Sequence, residues 1–246
     1  MNCSIVFPTL DLYTREISNE LKRNLGKELK EYSVHVEQKF NKLGYNEVIL
    51  DYDKLTGIDI PILLSPQNVA SKGVVMIVGE SPLRNKDLHG LIIRTPFALG
   101  TEPKCYKQCN RYKKIIQNII NNGYSVYITD IIKIWNTDKS RKLKVDEFDK
   151  KFLEKEFIET KATKIICWGK KSFDCVSKLE FIDHTNTIQI LHPSAMATRW
   201  WKKKYPDSDW DECEKTIITL ATNNILAELN NSSTNHGNSP AHQPMA

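Results

Sequence analysis

The chain has 246 residues, is 40% hydrophobic and 26% charged, and carries a formal net charge of +5. That is enough apolar content for the core of one α/β domain with an added N-terminal element. It excludes a membrane-spanning class, because no apolar run reaches spanning length, and the small basic excess leaves a polyanionic partner open.

The N-terminus lacks a basic stretch followed by an apolar one, so the expected location is the cytoplasm. Six cysteines are scattered without a disulfide framework. Cys105 and Cys109 amount to half a metal site at most, and no further ligands at suitable spacing complete it. We therefore expect no metal, no other cofactor, no membrane partner and a monomer.

In chain order, residues 12–43 predict a helix, with Leu21, Leu25 and Leu29 on one face among many charges. The turn Gly44-Tyr45-Asn46 closes it, and a short strand pair is expected at 47–50 and 58–64. From Val74 the pattern changes to alternating strands and helices. Strands are predicted at 74–78, 125–130, 164–168 and 187–191, and helices at 107–121, 145–159, 170–179 and 209–229. Such alternation builds βαβ units. The expected fold is a three-layer α/β/α sandwich around a mostly parallel four-stranded sheet, with an N-terminal helical extension. The divisions are 1–72 for the extension, 73–229 for the α/β domain and 230–246 for a disordered tail of Asn, Ser, Pro and His.

Two motifs follow apolar strands directly: Gly79-Glu80-Ser81-Pro82 after Val74 to Val78, and His192-Pro193-Ser194 after Ile188 to Leu191. In one parallel sheet, a carboxylate and an imidazole would emerge together at its carboxyl edge, where open α/β sheets build their sites. That pair suits cleavage of a glycosidic bond. A carboxylate stabilises an oxocarbenium-like sugar, and an imidazole donates a hydrogen bond to a departing base. Taken singly, the glutamate also reads as a helix cap and the histidine as a structural residue.

The ordered set of strands and loops resembles the uracil-DNA glycosylase superfamily over about residues 74–226. Gly79-Glu80-Ser81-Pro82 is similar to the Gly-Glu-Ala-Pro motif of its bacterial and archaeal branches, and His192-Pro193-Ser194 to its second motif. The resemblance implies a monofunctional DNA glycosylase that flips a pyrimidine from DNA and leaves an abasic site. It implies Glu80 and His192 as catalytic residues and places Gly79, Ser81, Phe97 and Asp130 around the base. Phe97, in Thr95-Pro96-Phe97, would cover the base with its ring; its alternative role is core packing. Ser194, Met196, Arg199, Lys202 and Lys203 fall in the loop that enters the minor groove, with Met196 as the apolar wedge and the basic residues on phosphates.

One position departs from the family pattern. The strand that normally ends in a base-reading asparagine ends here in Asp130. A side-chain amide matches both O4 and N3 of uracil, whereas an ionised carboxylate only accepts. Asp130 therefore suits the exocyclic amine of a cytosine-type base over uracil, unless it pairs with Lys133 or caps a turn. A cytosine remover must require a mark or a foreign context, which points to C5-modified cytosine in phage DNA and an antiviral role. Two other readings remain: a decayed nucleic-acid-binding module of the same fold, and a hydrolase of free nucleosides. The second leaves the basic and aromatic run from Met196 to Lys204 unexplained.

Overall fold

The computed structural model describes residues 3–6, 16, 17, 19, 47–50, 56–82, 89–98, 109–136 and 145–233. At its centre lies β5 (Val74–Gly79), a run of β-branched and apolar residues buried on both faces, as a central parallel strand requires. It pairs in parallel with β7 (Ser125–Asp130) on one side and β9 (Ala162–Trp168) on the other. The strand β10 (Thr187–Ile190) adds in parallel beyond β9. All four predicted strands are present, and all four run the same way.

The sheet has six strands rather than the expected four, in the order β1-β4-β7-β5-β9-β10. Here β4 (Ile62–Pro66) covers the open edge of β7 antiparallel, and β1 (Cys3–Val6) covers β4. A bare β7 edge would leave a row of unpaired backbone groups. The stretch before Gly73 thus supplies two strands to the same sheet.

The expected pairing of 47–50 with 58–64 does not form. Instead β2 (Glu47–Leu50) pairs with β6 (Leu91–Arg94), and 58–64 divides between β3 (Thr56–Asp59) and β4. Pro61 sits at the division, where its missing N–H interrupts a ladder. A second sheet results, ordered β2-β6-β3-β8, with β8 (Ile134–Asn136) following β7. In chain order the described strands switch sheets six times, at β1–β2, β3–β4, β5–β6, β6–β7, β7–β8 and β8–β9.

Helix α1 (Cys109–Asn121) buries Tyr112, Ile115, Ile116, Ile119 and Ile120 against one face of the main sheet, the spacing of a single helical stripe. It stops at Gly123, whose φ of 90° belongs to the left-handed region. Helix α5 (Cys213–Ser233) packs beside α1 on that face. On the opposite face lie α2 (Glu147–Thr160) and α3 (Lys170–Val176). Asp146 and Asp149 start α2 with a reciprocal capping box.

The next described α-helices after β5 and after β9 therefore lie on opposite faces, which makes the carboxyl ends of these neighbours a topological switch point. One expectation needs adjustment at the C-terminal end. Residues 230–233 form the last turn of α5, because Asn and Ser extend an established helix and no breaker precedes Gly237. Of the predicted helix at 12–43, residues 16, 17 and 19 are described and are helical; the remainder of that helix, the remainder of the tail, and Cys105 lie outside the described residues. Among the described residues, no helix is long and apolar enough to cross a membrane.

Candidate active site

Four parallel strands end at the same edge, and three of them deliver a residue singled out above. Gly79-Glu80 leaves β5, Asp130 ends β7, Trp168-Gly169 ends β9, and Leu191-His192 follows β10. Glu80 and His192 are separated along the edge by β9 alone. Two strand spacings amount to about 10 Å. The Glu80 charge is felt at the His192 ring.

Gly79 and Asp130 are direct partners across the β5–β7 ladder. A Cβ added at Gly79 would stand 2.1 Å from Asp130 Oδ1 and 2.7 Å from Phe97 Cζ. No side chain fits there, so the glycine is what lets a carboxylate and an aromatic ring converge over the strand end. Phe97 reaches this point from a 3₁₀ turn, Pro96–Ala98, with its own φ at 54°. A bulky residue held in the left-handed region marks a conformation imposed by its surroundings.

The Phe97 ring stacks on Tyr112 at 4.8 Å between centroids and meets Trp168 edge-on at 4.7 Å. Tyr112 carries the cluster on to His192, whose ring lies 5.7 Å away in a T-shaped arrangement. Phe97 thus packs against core aromatics while remaining partly exposed. Its two candidate roles, packing and covering, are compatible in one ring.

His192 is fixed from several directions. Its Nδ1 lies 3.3 Å from the Tyr112 hydroxyl and accepts from the Ser194 backbone N–H, also at 3.3 Å. Its carbonyl accepts from Trp201 Nε1 at 3.0 Å, and Arg111 donates to the carbonyl of Pro193 at 3.3 Å. A backbone N–H has only a proton to give, so Nδ1 faces it as an acceptor and the ring proton resides on Nε2. Burial holds the imidazole below its ordinary value of 6.5, with Glu80 pulling the other way. The ring is therefore a neutral donor through Nε2.

Glu80 has a partner that sequence reasoning missed. Lys171 Nζ lies 2.9 Å from Glu80 Oε1, with the carboxylate about one-third exposed at 34%. Lys171 stands in the first turn of α3, directly after β9. Lys170 and Lys171 are adjacent in the sequence, and nothing there distinguishes one lysine from the other. The structure sends Lys170 to Asp174 along its own helix. Tyr112 and Arg111 were also missed, since within α1 they read as part of an amphipathic pattern.

Ser81 follows Glu80 and is half-buried, with Pro82 buried behind it. Beyond His192 the chain forms a short 3₁₀ turn (Ala195–Ala197) and helix α4 (Thr198–Lys204). Met196 is the most exposed large apolar side chain among the described residues, at 87%. Arg199 stacks over the half-exposed Trp200 at 4.9 Å. Lys202 and Lys203 are exposed beside them, while Trp201 is buried. An apolar tip and a basic, aromatic rim therefore project from the loop that carries the imidazole.

Lys133 does not pair with the Asp130 carboxylate through any described contact. Its amine bonds the Asp130 backbone carbonyl, Thr129 Oγ1 at 2.8 Å and Glu156 at 2.6 Å. Cys167 is core, with burial pushing its thiol up to about 12. Among the described residues, no group of three His, Cys, Asp or Glu side chains is placed to hold a metal ion.

A family model described as the Uracil DNA glycosylase superfamily matches residues 66–212. A search of curated proteins found no match to the chain. The matched span contains both motif loops, Phe97, Asp130 and the whole parallel part of the sheet.

Proposed function

The chain belongs to the uracil DNA glycosylase superfamily, and on that premise we propose that it is a monofunctional DNA glycosylase with Glu80 and His192 as its catalytic pair. The observation that carries this reading is the shared sheet edge: a carboxylate and a neutral imidazole donor flank one strand end, beside a ring and a carboxylate crowded onto Gly79.

Hydrolysis of an N-glycosidic bond separates charge, with the sugar turning cationic at C1′ and the base leaving with its electron pair. Glu80 stabilises the cation and orients the water whose oxygen bonds C1′. The proton that this water loses ends on the departed base. His192 Nε2–H donates to O2 of the base, where the leaving electrons collect. A donor that is already neutral has no proton of its own to lose at working pH. Lys171 holds one oxygen of Glu80 and so sets the direction of the other.

The target reaches this edge only when flipped from the stack. Phe97 then covers the base, Met196 fills the gap it leaves, and Arg199, Lys202 and Lys203 engage phosphates. Asp130, as an acceptor, favours a base with an exocyclic amine. The substrate we assign is a C5-modified cytosine in foreign DNA, with uracil as the second choice, and the biological role is antiviral. The test is release of free base from oligonucleotides carrying uracil, cytosine and C5-modified cytosines, for wild type and Asp130→Asn. Asp130→Asn is expected to move preference toward uracil by about tenfold. An unchanged preference rejects Asp130 as the reader.

A further inference from the structure

Directly behind Asp130, on the face of the sheet turned toward α2, lies a fully buried ion pair. Lys133 and Glu156 meet at 2.6 Å, and neither side chain has any exposure. All three amine protons and both carboxylate oxygens are engaged. Glu156 Oε1 accepts from the hydroxyls of Tyr127 at 3.0 Å and Thr129 at 2.9 Å. The three protons of the Lys133 amine go to Glu156 Oε2, to Thr129 Oγ1 and to the carbonyl oxygen of Asp130.

An apolar pair of similar volume commonly holds a fold as well as a buried ion pair does. The distinctive contribution of this pair is therefore its third proton, which an apolar pair cannot supply. That proton ties down the peptide leaving β7 at Asp130. The same short segment is pinned at three further points. Ile131 N–H donates to the Gly79 carbonyl at 3.1 Å and Ile132 N–H to the Glu80 carbonyl at 3.2 Å. Lys133 N–H donates to Asp149 Oδ1 at 2.8 Å, and Asp149 is the capping-box residue of α2.

We propose that the Lys133–Glu156 pair is a positioning device for substrate selection: it fixes the Asp130 peptide, and through the segment 131–133 the Glu80 peptide, against helix α2. The reading of Asp130 as the base contact underlies the selection half of this proposal. The anchoring half stands on the hydrogen bonds alone.

The test replaces the pair as a unit, with Lys133→Met and Glu156→Leu together, so that no lone charge is left buried. The double variant is expected to melt near wild type. Its amides at Ile131 and Ile132 should exchange with solvent about tenfold faster or more, with the rest of β7 unchanged. Its preference among the bases of the oligonucleotide panel should flatten about tenfold, mostly through kcat, as expected when a contact is loosened. Thr129→Val, which removes the hydroxyl that accepts from the amine and donates to the carboxylate while leaving their direct contact, should shift both readouts in the same direction and carries the test if the double variant does not fold. Wild-type exchange at both amides together with wild-type base preference, in whichever variant folds, overturns the proposal. If wild type itself releases no base, the glycosylase reading fails while exchange at Ile131 and Ile132 still decides the anchoring.

Discussion

The two faces of the main sheet do different work at the same edge. Toward α1 and α5 the strand ends carry rings: Phe97, Tyr112, Trp168 and His192 form one continuous aromatic run above Gly79. Toward α2 and α3 they carry charges: Lys171 on Glu80, and Lys133 on Glu156. Strand alternation produces the division, since neighbouring residues of β7 and β9 point to opposite faces. The ring face suits a flat base and a neutral donor. The charged face suits a carboxylate that must meet a cationic sugar. A site built across a sheet edge can thus keep a buried, neutral imidazole within electrostatic reach of an ionised carboxylate.

Breaking the charged side should cost most. Glu80→Gln keeps size and loses the anion, and base release is expected to fall about 1,000-fold, with DNA affinity and melting temperature held. Single-turnover release assays beside a binding titration check this, and a full rate in the variant removes Glu80 from the chemistry.

Breaking the meeting point of the two sides comes next. Gly79→Ala places a Cβ 2.1 Å from Asp130 Oδ1 and must push Asp130 or Phe97 away. Activity should fall about 100-fold, and a thermal melt should show destabilisation as well. Normal activity in Gly79→Ala would mean that the Asp130–Phe97 convergence is not used.

The ring side is sharpened by pH. Burial lowers the His192 pKa, so the folded state binds its proton less readily than the unfolded chain does. The associated stability is present above the ordinary value of 6.5 and is lost as pH falls through the lower folded value. Protonation would also place an N–H on Nδ1 against the Ser194 N–H. We expect wild type to lose melting temperature on acidification below that ordinary value more steeply than His192→Asn does. Melts across the acid range check it, and parallel curves would contradict it.

The smallest effect belongs to the rim. Lys202→Ala with Lys203→Ala should weaken DNA binding several-fold and lower the salt slope by about 2, with rate at saturation unchanged. Titrations at several salt concentrations read both numbers.

The parallel core was legible because β5, β7, β9 and β10 are short stretches rich in β-branched and apolar residues set between helices, a pattern typical of buried parallel strands. Of the second sheet, β2 was legible as the strand at 47–50 and β3 in part, but β6, β8 and the pairing were not. Its strands β2, β3, β6 and β8 are three or four residues long, too short for a period to register. At the candidate site, Glu80, His192, Asp130 and Phe97 were singled out because each ends or follows a strand, or sits in a proline turn, at a recognisable place. Lys171 and Tyr112 were hidden for the opposite reason. They lie on helices where lysines and buried aromatics are ordinary, and only the closure of the sheet brings them to Glu80 and His192. The Lys133–Glu156 pair was partly visible, since Lys133 was weighed as a partner for Asp130. It meets the backbone of Asp130 instead, and its counter-ion comes from a helix that begins fourteen residues later in the chain.

Mass spectrometry of bases freed from the oligonucleotide panel, run side by side with wild type, Glu80→Gln and His192→Ala, tests the central claim most directly. The account predicts a free pyrimidine and an alkali-labile strand from wild type, with both signals nearly abolished in each variant while all three proteins bind DNA. Intact DNA throughout in wild type, or equal release from all three proteins, would contradict it.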